Sequence, residues 1–164
     1  MTPKLLVPIG IAGCGKSTWI RSINQTLKNL DLDEFLIVSP DLIRKELTGS
    51  ISDQTKNKEV FELAYKRTAH FINLRRDVIF DATNVSLKDR NSLLKYMNKN
   101  VTNGFKAYAK IFNVDPEICK ARIRKDIEAN VDRSYVPDEA IDKQYNKFIA
   151  NKDHIQFENF KIIN

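Results

Sequence analysis

The sequence predicts an α/β fold: a central parallel sheet of four to five strands, sandwiched between helices and carrying a helical lid. Three observations predict it. Short apolar runs alternate with longer amphipathic segments along all 164 residues, the pattern of βαβ units joined by right-handed crossovers. A glycine-rich octapeptide, Gly10-Ile11-Ala12-Gly13-Cys14-Gly15-Lys16-Ser17, separates the first apolar run from the first amphipathic one. Polar clusters containing Asp41 and Asp81 follow later apolar runs, at the carboxyl ends of strands where open α/β sheets bind ligands.

Taken in order, Leu5 to Ile9 reads as a buried strand and Lys16 to Leu30 as the helix after it. Phe35 to Val38 is the second strand, Asp41 to Leu47 a short helix, and Gly49 to Asp53 a turn. A long helix spans Thr55 to Arg75, with Val60, Leu63, Ala64, Arg67, Phe71 and Leu74 on one face. Val78 to Phe80 is the third strand. Ser86 and Asp89 match a capping box that opens a helix through Leu93, Leu94 and Met97. Gly104 closes a polar stretch before the fourth strand, Phe105 to Phe112. Asp115-Pro116 is an N-cap with a first-turn proline. Pro137 opens a last helix bearing Ile141, Tyr145 and Phe148, and Phe160 to Ile163 is a fifth strand.

The length suits a single domain over residues 1–164, able to bury roughly 70% of the unfolded chain's surface. Charged residues make up 29% and apolar ones 42%, an ordinary globular balance. No apolar run approaches the ~20 residues that span a bilayer, and the N-terminal run is too short and wrongly flanked for a signal peptide. Cys14 and Cys119 form no metal pattern and read as free thiols. The expected location is a reducing cytoplasm, that of the host if the source is viral, with no membrane partner. The formal net charge of +6 attracts phosphates, whether of a nucleotide, a nucleic acid or a membrane, and does not choose among them.

The octapeptide fits G-x-x-x-x-G-K-[ST] at every fixed position, between a strand and a helix. It makes the fold a P-loop NTPase sandwich. The glycines let the backbone wrap a phosphate, and the N–H groups of Gly13, Cys14, Gly15 and the helix start bring partial positive charge. Lys16 is expected on the β- and γ-phosphates of ATP or another nucleoside triphosphate. Ser17, with Thr18 beside it, is expected at Mg²⁺ (or Mn²⁺).

Val78-Ile79-Phe80-Asp81 ends an apolar strand in a carboxylate, the natural second acidic element, holding the metal directly or through water. Thr83 and Asn84 follow; Ser86 already caps the next helix, which leaves the cluster freer for a ligand. Ala82 stands where hydrolytic motor ATPases commonly place a water-activating glutamate, so transfer to an acceptor is expected. After the second strand, Asp41 and Arg44 lie three apart, on one helix face. The carboxylate there suits proton acceptance from an attacking hydroxyl, and the arginine suits an acceptor's phosphate; the competing reading is an Asp41 N-cap beside a solvated arginine. Arg122, Arg124, Lys125 and Arg133 populate a lid over about residues 122–136. Arg133 and Arg122 are its candidate phosphate contacts, each with an alternative as a solvated charge.

In the order and spacing of these motifs, from Lys4 to about Phe148, the sequence resembles the kinase domain of polynucleotide 5′-hydroxyl kinases of the phage and bacterial end-healing type. The P-loop running into Thr18-Trp19, the Asp41-x-x-Arg44 pair, Asp81-Ala82-Thr83-Asn84, and Arg133 with Val136-Pro137 carry the likeness. The resemblance implies a nucleic acid 5′-OH end, DNA or RNA, as acceptor, in end healing or repair. Asp41 would be the general base, with Arg44 on the phosphate 3′ of the acceptor nucleotide. Lys16, Ser17 and Arg133 would bind the donor, and Asp81, Thr83 and Asn84 would organise the acceptor crevice. Ala12 and Cys14 replace the Pro and Ser often seen in that loop, where the backbone does the binding. Many relatives carry a phosphatase or ligase domain, and this chain has neither, so such a partner would be separate. The main alternative is a small-molecule kinase of the same fold, acting on a sugar, nucleoside or antibiotic hydroxyl. A nucleotide switch would need an Asn-Lys-x-Asp motif, which Asn151-Lys152-Asp153-His154 only approaches.

Overall fold

A computed structural model describes residues 1–131, 133 and 135–164. Five parallel strands form one sheet: β1 (Lys4–Ile9), β2 (Leu36–Val38), β3 (Val78–Phe80), β4 (Lys106–Ile111) and β5 (Lys161–Ile163), in the order β2-β3-β1-β4-β5. Six helices connect them: α1 (Lys16–Asn29), α2 (Pro40–Thr48), α3 (Asn57–Asn73), α4 (Leu87–Asn100), α5 (Pro116–Glu128) and α6 (Asp138–Asn151), with a 3₁₀ helix at Lys152–Phe157. β1 is central and buried on both faces, which is why it reads as an unbroken apolar run. Its register runs from Lys4 opposite Lys106 to Ile9 opposite Ile111, with Leu5 opposite Val78.

The strand order fixes the layers. From β1 the chain passes over β3 to reach β2; every later crossover runs in the opposite direction across the sheet. Right-handed crossovers therefore put α1 alone on one face and the remaining helices on the other. The packing agrees. A large core joins Leu5, Val7, Ile9, Phe80, Val60, Ile72, Leu93, Met97, Ile123, Ile141 and Phe148. A small one holds Leu6, Ile79 and Ile20 of α1, with Trp19, Ile23, Tyr108 and Ile163 against it.

Local chemistry sets the helix starts. Ser39 accepts from the Leu42 N–H, with Pro40 in the first turn. Ser86 accepts from Asp89 N, and Asp115 from Glu117 N ahead of Pro116. Ser39 is thus the cap of α2, which overturns the reading of Asp41 as that cap. The long helix also departs from expectation. Its buried residues are Val60, Ala64, Thr68, Ala69 and Ile72, while Leu74 is exposed. Thr68 can be buried because its hydroxyl donates to the Ala64 carbonyl, and Arg67 swings to the rim to pair with Glu46 through both terminal nitrogens. The 3₁₀ helix is a further difference: Asn151-Lys152-Asp153-His154 lies in the helical run out of α6 rather than in a base-reading loop. Among the described residues, no helix is long and apolar enough to cross a membrane.

Candidate active site

The loop after β1 is shaped by its glycines. Gly13 and Gly15 have φ of 79° and 105°, a region that side-chain-bearing residues rarely adopt. A Cβ on Gly13 would lie 2.7 Å from the Cys119 carbonyl oxygen, so α5 presses directly on the loop. Gly10 N–H donates to Thr83 O at 3.0 Å, tying the loop to the exit of β3. Lys16 Nζ donates to Gly10 O at 2.8 Å and Ile11 O at 2.9 Å, bridging the loop from within. No side chain caps α1 and no acid sits in its first turn, so its leading N–H groups suit an anion. Ser17 and Thr18 are exposed at that end. Cys14 and Cys119 are both buried free thiols. Burial, with Cys14 alongside, pushes Cys119 up to about 11, which leaves it chemically quiet.

Asp81 follows β3, and its N–H donates to Val38 O. Burial pushes its carboxyl above the ordinary range; the Lys16 ammonium pulls it down and the Asp41 carboxylate pushes it further up. The loop lysine and the α2 acid therefore both act on Asp81 at the adjoining ends of β1, β3 and β2. Thr83 is half-buried beside it. Asn84, in the left-handed region at φ 53°, turns inward. Its amide nitrogen donates to Pro8 O, Phe80 O and Ala82 O. That places Asn84 in the crevice wall, clamping β1 to β3, rather than on the acceptor-facing surface.

Asp41 is exposed in the first turn of α2, and Arg44 is 4% exposed one turn on. Arg44 Nη1 pairs with Asp41 Oδ1 and reaches Ile51 O at 3.4 Å, while Nη2 donates to Asn57 Oδ1 at 2.8 Å. Sequence reasoning places Arg44 open to an acceptor; in the structure its two terminal nitrogens are held within the protein. Its Nε has no partner. Among the described residues, the buried side-chain polar atoms without a hydrogen-bond partner are Arg44 Nε and Arg133 Nε, which belong to two of the arginines read from the sequence as phosphate contacts.

The basic segment spans the end of α5 and the connection to α6; residues 132 and 134 of the expected lid lie outside the described residues. Arg122 Nη1 donates to Gly13 O at 3.3 Å, on the loop itself. Arg133 Nη1 pairs with Asp126 at 2.6 Å, and Arg124 pairs with Asp138. Lys120, between Glu117 and Asp142, fastens α5 to α6.

Two residues escaped the sequence reading. Gln144 of α6 accepts from Ala12 N–H at 2.9 Å, so the helix beyond the lid grips the loop. Arg90 is fully buried; its Nε and Nη2 pair with Glu158, Nη1 donates to Asn84 O and Nη2 to Asn151 O. Arg90 lies in line with Leu93, Leu94 and Met97 on the buried stripe of α4, and a charge on an apolar stripe is a signal that finds it. Gln144 has no such signal.

Ser17 and Asp81 offer a hydroxyl and a carboxylate, hard oxygen donors that fit a divalent ion completing its shell with water and phosphate oxygens. The carboxyl strained by burial beside Lys16 is the group such an ion would relieve.

Residues 5–150 match the AAA domain family. No curated protein matches the sequence. Among solved structures, the Pnkp1/Rnl/Hen1 RNA repair complex matches at a TM-score of 0.79 and 24% identity, over 97% of this chain and 47% of that one. A gluconokinase from Sinorhizobium meliloti matches at 0.58 and 12%, over 99% and 82%. The APS kinase CysC of Mycobacterium tuberculosis, solved with AMPPNP and APS, matches at 0.57 and 17%, over 93% and 98%. The chain spans about half the length of the RNA repair component it matches. The fold is that of a P-loop kinase.

Proposed function

We propose that this chain, which belongs to the AAA domain family, is a polynucleotide 5′-hydroxyl kinase that moves the γ-phosphoryl group of ATP or another nucleoside triphosphate to the 5′-OH end of DNA or RNA. The observation that carries the acceptor class is the orphaned donor of Arg44, buried beside Asp41. A buried N–H without a partner costs about 1–3 kcal/mol. An oxygen of the phosphate on the 3′ side of the acceptor nucleotide would satisfy it and bring the adjoining 5′-OH toward Asp41. The similarity to the RNA repair complex supports the same reading.

In this reading Lys16 leaves the loop carbonyls and binds the β- and γ-phosphates, with the loop N–H groups and Arg122 alongside. Arg133 offers its unpaired Nε to the donor. Ser17 and Asp81 would hold Mg²⁺ (or Mn²⁺), which supplies charge neutralisation at the phosphates. Asp41, fixed by Arg44, accepts the hydroxyl proton as the acceptor oxygen bonds to the γ-phosphorus and the nucleoside diphosphate departs. Thr83 lines the crevice, and Asn84 keeps its wall in place.

One observation favours the second reading, a small-molecule kinase. The terminal nitrogens of Arg44 are already engaged by Asp41 and Asn57, a purely structural tie if the acceptor carries no phosphate. Labelled γ-phosphate transfer to a panel decides between them: a 5′-OH oligonucleotide, a nucleoside 3′-monophosphate, a plain nucleoside, and gluconate. The polynucleotide reading expects the first two to be phosphorylated far better than the nucleoside. Equal rates with and without the 3′-phosphate would overturn it.

A further inference from the structure

We infer that the β4–β5 part of the sheet face beside α1 docks the backbone of a single-stranded polynucleotide, at a surface separate from the transfer crevice. The inference rests on the polynucleotide reading of that crevice.

Among the described residues, the α1 crossover is the one helical connection on this face, and five strands about 4.8 Å apart span roughly 19 Å between the outermost two. A helix with its side chains is about 10–12 Å across, so α1 covers about half. It packs on Leu6 and Ile79 in the middle of the sheet. The register then sets what remains. Tyr108 lies opposite Leu6 on one side and Lys161 on the other, and Lys106 lies opposite Lys4. Lys106 and Lys110 stand two residues either side of Tyr108, hence on its face. Tyr108 is half-buried against the small core, while Lys106 and Lys161 are exposed.

The charge is concentrated here. Leaving aside Lys16 of the loop, α1, β4 and β5 carry Arg21, Lys28, Lys106, Lys110 and Lys161, and no Asp or Glu. These five charges compare with a net charge of +6 for the whole chain. Lys4 is offset by Asp77 at 3.7 Å, and Asp31, Asp33 and Glu34 follow α1 toward β2, away from β4 and β5. On α3, Arg67 is tied to Glu46, and Lys66, Arg75 and Arg76 on or near that helix belong to the opposite layer of the sheet. An aromatic ring framed by three lysines matches what a single strand presents, with a base to stack and a phosphate on either side.

The test uses a long 5′-phosphorylated single strand, which cannot act as acceptor, followed by fluorescence anisotropy over a range of salt. Lys106→Gln with Lys161→Gln should weaken binding about tenfold at low salt and flatten the slope of log affinity against log salt by about 1.4, as two lost phosphate contacts require. Tyr108→Leu should weaken binding with the slope unchanged. Transfer to a nucleoside 3′-monophosphate should be unaffected by the lysine changes. Unchanged affinity and slope would overturn the docking surface, and so would substitutions that abolish binding to anionic vesicles but not to the strand. The two readings fail separately. If the wild type phosphorylates 5′-OH strands and the double variant binds like it, only the surface falls. If the wild type binds strands through these lysines but phosphorylates none, only the kinase reading falls.

Discussion

The side of the crevice proposed to take the donor is held by main-chain groups, and the side proposed to take the acceptor by side chains. Around the loop, Lys16 and Arg122 rest on carbonyl oxygens, Gly10 N bonds to Thr83 O, and one side chain, Gln144, meets a backbone N–H. Across the crevice, Arg44 is fixed by the carboxylate of Asp41 and the amide of Asn57. A site made of backbone demands particular glycines and a lysine and tolerates the residues between. A site made of side chains changes its ligand when one residue changes. Under the proposed function, the contrast places a common donor chemistry in one half and acceptor choice in the other.

Lys16→Ala tests the donor half most severely. Transfer should fall by at least ~10³-fold, as for loss of a preorganised charge on the reacting phosphate, with the melting temperature little changed. Full activity in the labelled-transfer assay would remove the donor half from the comparison.

Asp41→Asn should lower kcat by about 10²–10⁴-fold, the range for loss of a general base, with acceptor KM nearly constant. An unchanged kcat would reduce Asp41 to a support for Arg44.

The arginines sharpen the division. Arg44→Ala should raise KM for a 3′-phosphorylated acceptor, and Arg133→Ala KM for the donor, each by about tenfold, the low end for a hydrogen bond to a charged group. Arg122→Ala should do less, because Arg122 is exposed. Exchange of the Arg44 and Arg133 phenotypes in steady-state kinetics would invert the two halves.

The smallest effect is one of stability. Burial raises the Asp81 carboxyl above its ordinary 3.8, so the fold favours the protonated form. Its contribution is present below that ordinary value and is lost as pH rises through the raised one. At neutral pH and without metal, Asp81→Asn should therefore raise the melting temperature, with the gap closing in acid. A lower melting temperature at neutral pH would mean that the ionised carboxylate is stabilised in the crevice.

The halves also differ in how they read from sequence. The loop was legible because its function lies in backbone shape, which Gly10, Gly13, Gly15 and Lys16 encode contiguously. Strand positions and two helix starts are legible through apolar runs and the caps Ser86 and Asp115; the strand order is not, because it is set by contacts between distant segments. The α3 face was misplaced because Thr68 buries a hydroxyl on its own helix while Arg67 escapes to Glu46. Neither event has a local pattern. Gln144 and Arg90 act on partners 132 and 68 residues away in sequence. Arg44 reads from the sequence as a site candidate, but its engagement with Asn57 comes from a helix that starts at Asn57, two residues later than the sequence pattern predicts.

Arg90 also bears on how the chain is made. Its buried guanidinium answers to Glu158 and at the same time holds the carbonyl of Asn84, whose amide joins β1 to β3. Ribosomes add about 5–20 residues per second, and the pair is separated by 68 positions. Arg90 is therefore synthesised roughly 3–14 s before the acid that neutralises it. An interior arginine left without its acid costs several kcal/mol, about 3–5 when one partner of a buried pair is missing. The β1–β3 tie that Arg90 supports through Asn84 is therefore completed without that cost only once Glu158 has joined it.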